Sequence, residues 1–157
     1  LEIGNYIRQK YKGKVLALTG SAGKTTTKEA LKFILSKFAP TYATSGNFNN
    51  VIGVPKTLCE IDMSAKYSIF EVGMSSKGEI STMIKYVEPE IAIVTNVYPM
   101  HIEFFENIEG IAYAICIAWY DNSFTHSQSN FSKFVGRLGE YSYSIYLLHF
   151  FIVSHPS

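Results

Sequence analysis

The residues best placed to do chemistry begin with Lys24 and Thr25, inside Thr-Gly-Ser-Ala-Gly-Lys-Thr-Thr-Thr-Lys at positions 19–28. Glycines let backbone N–H groups approach phosphate oxygens with no Cβ in the way. A helix starting just behind them adds its partial positive charge. Lys24 suits the outer phosphates of a nucleotide, and the Thr25 hydroxyl suits Mg²⁺. Gly20, Ser21, Ala22, Gly23, Lys24, Thr25 and Thr26 are therefore expected to surround the polyphosphate of a nucleotide. The spacing is short. Two residues separate Gly20 from Gly23, whereas the common P-loop has four and would need a glycine where Leu18 stands. A plain Gly/Ser turn between a strand and a helix is the competing reading.

Glu71 is the second candidate. It ends an apolar run, and a carboxylate buried at a strand end needs a partner. A nucleotide-bound Mg²⁺ would supply one; a lysine would supply the other kind. His101 is a neutral imidazole able to ligate a second metal, or a surface residue. Asn47, Asn49 and Asn50 lie in Ser-Gly-Asn-Phe-Asn-Asn at positions 45–50. They could orient a polar substrate, or only shape the turn.

The elements that must position these residues are legible as periodicity. Positions 3–11 suggest a short helix closed by Gly13, and 15–19 a first strand. Leu31, Ile34, Leu35 and Phe38 recur at i, i+3, i+4 and i+7, which predicts a helix from the glycine loop to about Phe38, stopped by Pro40. Positions 41–44 suit a short strand. A helix starts near Val54, with Pro55 in its first turn and Val54, Leu58 and Ile61 inward. Positions 67–72 form a strand, then a helix places Ile80, Met83, Ile84 and Val87 on one face, and 91–95 form a further strand. Strands alternating with helices imply an α/β fold: a parallel sheet, helices on both faces and the P-loop after the first strand. Ligands of such sheets bind outside the carboxyl ends of the strands. Glu71, Asn96 and the P-loop all fall there.

Length and composition set the outer bounds. The 157 residues suffice for one domain with a core, and 47% hydrophobic with 17% charged residues is a globular composition. A formal net charge of +1 gives no reason to expect nucleic-acid binding. Cys59 and Cys116 match no zinc or redox spacing and read as reduced thiols of a cytoplasmic protein. No apolar stretch follows the basic N-terminal residues, so no signal peptide is expected.

Four segments in order resemble one family. They are the P-loop; Thr-Ser-Gly-Asn-Phe-Asn-Asn-Val-Ile-Gly-Val-Pro at 44–55; Phe-Glu-Val-Gly-Met-Ser-Ser-Lys-Gly-Glu-Ile at 70–80; and Thr-Asn-Val-Tyr-Pro-Met-His-Ile-Glu-Phe-Phe at 95–105. Together they resemble the central ATPase domain of the Mur ligases over residues 1–114. The short Gly-x-x-Gly-Lys-Thr-Thr loop is shared with folylpolyglutamate synthetases, but the Gly-Asn-Phe-Asn-Asn stretch favours the Mur branch that joins D-alanyl-D-alanine to UDP-N-acetylmuramoyl-tripeptide. That resemblance implies ATP and Mg²⁺ as cofactors and an acyl-phosphate mechanism in peptidoglycan synthesis. It implies Lys24, Glu71 and His101 as catalytic, with Thr25, Glu71 and His101 at the metals. It places Asn47, Asn49 and Asn50 on the substrate side and Asn96 near the nucleotide.

The resemblance also implies a lysine near position 115, carbamylated in the family, where this chain has Ile115. An isoleucine supplies no oxygen ligand. The family's N-terminal domain, which grips the UDP-sugar, and its C-terminal domain, which closes over ATP, have no counterpart here. The chain is therefore expected to be an incomplete version, either inactive or a Mg-ATP-binding fragment. Residues 115–130 read as a junction and 131–157 as an apolar helical tail. The tail, with Leu-Gly, Ser-Tyr-Ser-Ile-Tyr-Leu-Leu-His and an apolar end, resembles a segment of the acyltransferase-3 membrane family, which implies membrane contact. Its apolar run at 145–153 is shorter than the ~20 residues of a spanning helix, and a helix packed on the sheet is the other reading.

Overall fold

A computed structural model describes residues 2–76 and 78–97. In order they form α1 (Glu2–Lys10), β1 (Lys14–Thr19), α2 (Lys24–Leu35), β2 (Thr41–Ala43), α3 (Gly53–Cys59), β3 (Tyr67–Glu71), α4 (Glu79–Val87) and β4 (Ile91–Val94). The strands make one sheet in the order β2-β3-β1-β4, every pairing parallel. This is the α/β architecture that the alternation implies.

Strand period dictates the two sides of the core. Val15 and Ala17 of β1, with Phe70 of β3, face one layer, where α1, α3 and α4 pack. Val54, Leu58, Ile80, Met83, Ile84 and Val87 complete that layer, all at most 2% exposed. Leu16 and Leu18, with Ala43, Ile69 and Ile93, face the opposite layer, where Leu31 and Leu35 of α2 pack.

α2 departs from the expected boundary. It ends at Leu35, and the N–H groups of Phe38 and Ala39 both return to the Leu35 carbonyl at 2.9 and 3.0 Å. That tightened turn takes Phe38 off the helix stripe; Phe38 and Ile34 are 78% and 53% exposed. Of the four periodic residues, Leu31 and Leu35 pack against the sheet.

Parallel pairing brings the carboxyl ends of β1, β3 and β4 to one edge. The ladders run on past the strands: Val72 N–H donates to Leu18 O and Thr95 N–H to Thr19 O, each at 2.9 Å. Thr19, Glu71 and Asn96 therefore sit side by side despite their distance in sequence.

Candidate functional site

The loop from β1 to α2 needs its glycines where they stand. Gly20 has a φ of 137°, and a Cβ there would lie 2.2 Å from Thr95 Oγ1. Gly23, at φ 77°, is the N-cap of α2 and carries no side-chain cap. Left-handed backbone at both points turns the chain from strand to helix within four residues. Thr27 N–H donates to Gly23 O at 2.9 Å. The N–H groups of Lys24, Thr25 and Thr26 precede it in the first turn and have no intrahelical acceptor. No acidic side chain lies in that turn, so the positive helix end is open to an anion.

Lys24 folds back on its own loop. Its Nζ donates to Gly20 O at 2.7 Å and reaches Ser21 O at 3.5 Å. Burial pushes its pKa below the ordinary lysine value, opposed by the charge of Glu71. The end of β4 holds the loop from the other side. Asn96 Oδ1 accepts from Ala22 N–H at 2.8 Å, and Asn96 Nδ2 donates to Ala22 O at 3.0 Å. Thr95 Oγ1 donates to the same carbonyl at 2.7 Å. Asn96 thus grips the loop backbone, and Thr95, which the sequence did not single out, grips it with Asn96.

Glu71 is 1% exposed at the end of β3. Its backbone N–H donates to Thr44 Oγ1 at 3.1 Å. Its carboxylate accepts from Asn49 Nδ2 at 2.9 Å and from Thr25 Oγ1 at 3.1 Å. Lys28 Nζ lies 3.6 Å from the same carboxylate. Lys28 is fully buried. It donates to Gly46 O at 3.0 Å and pairs with Glu29 at 3.3 Å. The lysine partner that a buried glutamate calls for is therefore present, on the same helix as Thr25.

The three asparagines take different places. Asn49 reaches Glu71, and its carbonyl accepts from Gly73 N–H at 2.6 Å. Asn50 Oδ1 accepts from the N–H groups of Ile52 and Gly53 at 3.1 and 2.8 Å, so that side chain shapes the start of α3. Asn47 is exposed on the loop. His101, Ile115 and the tail lie outside the described residues.

Thr25 and Glu71 fit a hard cation. Mg²⁺ takes oxygen ligands at about 2.1 Å in octahedral geometry, which spaces adjacent ligands roughly 3.0 Å apart. Thr25 Oγ1 and Glu71 Oε2 are 3.1 Å apart. Among the described residues no group of three or more His, Cys, Asp or Glu side chains gathers. One carboxylate and one hydroxyl, with the rest left to phosphate and water, is the way proteins commonly hold Mg²⁺.

Comparison with known proteins places this geometry. The family model described as the Mur ligase middle domain matches residues 18–117. The chain belongs to the Mur ligase family. The UDP-N-acetylmuramoyl-tripeptide–D-alanyl-D-alanine ligase of Rickettsia prowazekii (strain Madrid E) is 44% identical over 111 residues, covering 71% of this chain and 25% of that protein. The ligase of that name from Escherichia coli (strain K12) is 41% identical over 113 residues, covering 72% and 25%. Among solved structures, MurF from Acinetobacter baumannii matches with a TM-score of 0.76 at 36% identity, covering 88% of this chain and 32% of that one. MurF ligase from Thermotoga maritima in complex with ADP matches with a TM-score of 0.68 at 28% identity, covering 87% and 34%. This chain spans about a quarter of the length of the curated relatives it matches.

The comparisons correct one expectation. The tail's resemblance to a membrane acyltransferase, and the membrane contact drawn from it, are not sustained. The family match ends at residue 117, and the relatives it leads to are Mur ligases. Among the described residues no helix is long and apolar enough to cross a membrane. The misleading signal was the short pattern Leu-Gly, Ser-Tyr and Tyr-Leu-Leu-His at 138–149, too few positions to specify a family.

Proposed function

We propose that this Mur ligase chain supplies the nucleotide-binding centre of a cytoplasmic, ATP-dependent amide-bond ligase of peptidoglycan-precursor synthesis. Its substrates in that reading are UDP-N-acetylmuramoyl-tripeptide and D-alanyl-D-alanine, the pair in the names of its relatives. The observation that carries it is the convergence of Lys24, Thr25 and Glu71 at the open N-terminus of α2.

In that chemistry a carboxylate oxygen of the tripeptide attacks the γ-phosphorus of ATP, and the bond to the departing ADP oxygen breaks. The amine of the dipeptide then attacks the acyl carbon, and phosphate leaves as the amide forms. Lys24 leaves its carbonyl partners and places its ammonium on the transferring phosphoryl group, where negative charge is shared. The first-turn N–H groups of α2 hold the phosphate chain. Asn96 and Thr95 keep the loop in one shape, so little ordering remains to be done when the nucleotide arrives. Thr25 and Glu71 would hold Mg²⁺, which neutralises phosphate charge when bound. Asn49 fixes the Glu71 carboxylate and joins it to the Asn47–Asn50 loop on the substrate side.

Ile115 supports a second reading, a module that binds Mg-nucleotide without completing the ligation. The family lysine that it replaces would have carried a ligand oxygen. One experiment tests what both readings share. Calorimetry of the purified chain with ATP and Mg²⁺ is expected to show binding that Lys24→Ala weakens by roughly two orders of magnitude, about 2–3 kcal/mol for a charge-assisted phosphate contact. A folded chain with no Mg-dependent binding would overturn both. Ligation by this chain, or its absence, then separates them.

A further inference from the structure

Lys28 is the one fully buried lysine among the described residues, and nothing in the phosphate or substrate reading uses it. Its surroundings are specific. The ammonium stands 3.6 Å from Glu71 and 3.3 Å from Glu29, and donates to Gly46 O at 3.0 Å. Glu29 is exposed, with a side chain 58% accessible, so among the described residues Glu71 is the only buried carboxylate that Lys28 meets. Thr25 lies one helical turn before Lys28 on α2 and shares that carboxylate. Gly46 opens the loop that carries Asn47, Asn49 and Asn50. One amine therefore touches the helix of the P-loop, the candidate cation ligand and the base of the substrate-side loop.

A buried charge needs a counter-charge. Glu71 with no cation beside it would be a buried anion, held only by the neutral donors Asn49 and Thr25. Lys28 supplies the opposite charge from within the chain. The same ammonium repels a divalent cation arriving at Thr25 and Glu71, because like charges at such range interact strongly in a partly dry site.

We propose that Lys28 is a positioning residue: it is the resident counter-cation of Glu71, it pins the Gly46 loop to α2, and a divalent cation must share Glu71 with it. This rests on the reading of Thr25 and Glu71 as a cation site. Lys28 thereby sets how much Mg²⁺ the site needs. The carboxylate stays ordered in its absence, and the cation is retained only when phosphate oxygens add to the two protein oxygens. The pin to Gly46 O does not depend on Glu71, so the loop would stay attached to α2 with a cation held at Glu71.

The test is a Mn²⁺ titration of the full chain at saturating ADP, read by the loss of the free-Mn²⁺ electron paramagnetic signal. Lys28→Met removes charge and donor; Lys28→Gln removes the charge and keeps a donor for Gly46 O. Both are expected to lower the Mn²⁺ half-saturation by about tenfold. A purely structural lysine would leave it unchanged or raise it as the site loosens, and either result overturns the proposal. The unsubstituted chain gives an independent readout if the variants do not fold. With ¹⁵N at lysine side chains, the Lys28 ammonium, protected from water by burial, is expected to shift when Mg²⁺ and ADP are added together. An unmoved signal overturns the proposal whatever the variants do. Failure of the unsubstituted chain to bind Mn²⁺ with ADP would remove the cation site itself, and the proposal with it; binding with unaltered variant affinity would remove the proposal alone.

Discussion

Glu71→Gln is the substitution whose cost follows most directly from the structure. The change keeps the shape and the backbone bond to Thr44. It removes the charge that faces the fully buried Lys28 at 3.6 Å. Breaking a buried pair from one side costs about 3–5 kcal/mol, because an uncompensated charge stays behind. Here Lys28 keeps Gly46 O and the exposed Glu29, which lowers the range to about 2–4 kcal/mol. The new carboxamide nitrogen is a donor, as is the Lys28 ammonium, so the amide must turn its oxygen toward Lys28. Its nitrogen then faces Asn49 Nδ2, itself a donor, so that Asn49 must turn its own amide over or lose the bond. For a chain of this size roughly 2–4 °C is lost per kcal/mol, so a fall of about 4–16 °C in Tm is expected. Urea unfolding followed by circular dichroism, paired with a thermal melt, measures both. Replacing the pair together, Glu71→Leu with Lys28→Met, should cost less than the two single changes added, since no orphan charge remains. A Glu71→Gln cost below about 1 kcal/mol would refute the reasoning. It would mean that water reaches the pair and that Glu71 is not held by Lys28.

Two further outcomes follow from the loop. Gly20→Ala must strain a φ of 137° and push a Cβ against Thr95 Oγ1 and Asn96 O, at 2.2 and 2.9 Å; it is expected to cost about 2–3 kcal/mol in denaturant unfolding and to abolish nucleotide binding in the protein that stays folded. Burial holds the pKa of Lys24 below its ordinary value of 10.5, so its charge is lost before that of a free lysine as pH rises. Nucleotide affinity should therefore be flat near neutrality and fall at a pH below 10.5, while Lys24→Met binds weakly with no such fall. The sign for stability is the reverse. The unfolded chain holds that proton more tightly, so the burial cost of the ammonium is relieved as pH rises from the folded pKa to 10.5.

What the sequence made legible was whatever repeats or punctuates. The strands could be read because Val15, Ala17 and Phe70 alternate with Leu16, Leu18 and Ile69 across two apolar layers. α4 could be read because Ile80, Met83, Ile84 and Val87 form one stripe, and all four are buried. The end of α2 was less legible. Ile34 and Phe38 continue the apolar period, yet Leu31 and Leu35 pack on the sheet while Ile34 and Phe38 stay exposed, Phe38 beyond the end of the helix. In the site, Glu71 announced itself as a carboxylate ending an apolar strand. Its lysine did not, because the apolar period was counted from Leu31. Carried back along the helix, the Leu35–Leu31 stripe passes through Lys28 and Lys24 at the spacings of one face. A lysine on the inward stripe of a helix is a buried charge seeking a carboxylate, and Glu71 was already in hand. Asn50 and Asn96 were legible as residues but not as roles. An asparagine that turns a loop and one that meets a ligand look alike until the backbone N–H groups around them are placed.

The arrangement also explains why these side chains come from four separate stretches. A phosphate site needs an open helix end, which requires glycine and excludes an acidic cap, and α2 provides it. A cation ligand must sit beside that end without neutralising it. A carboxylate on α2's own first turn would do so; Glu71, on the neighbouring strand, lies 3.1 Å from the Thr25 hydroxyl and is balanced by Lys28 one turn further along. The loop that bears Lys24 must keep its shape with nothing bound, and the grip of Thr95 and Asn96 from β4 secures that without using the first-turn N–H groups of Lys24, Thr25 and Thr26. Parallel strand order is what puts β3 and β4 on either side of β1. The sheet thus separates three demands that one helix end could not satisfy alone: positive potential for phosphate, negative charge for the cation, and rigidity in the loop between them.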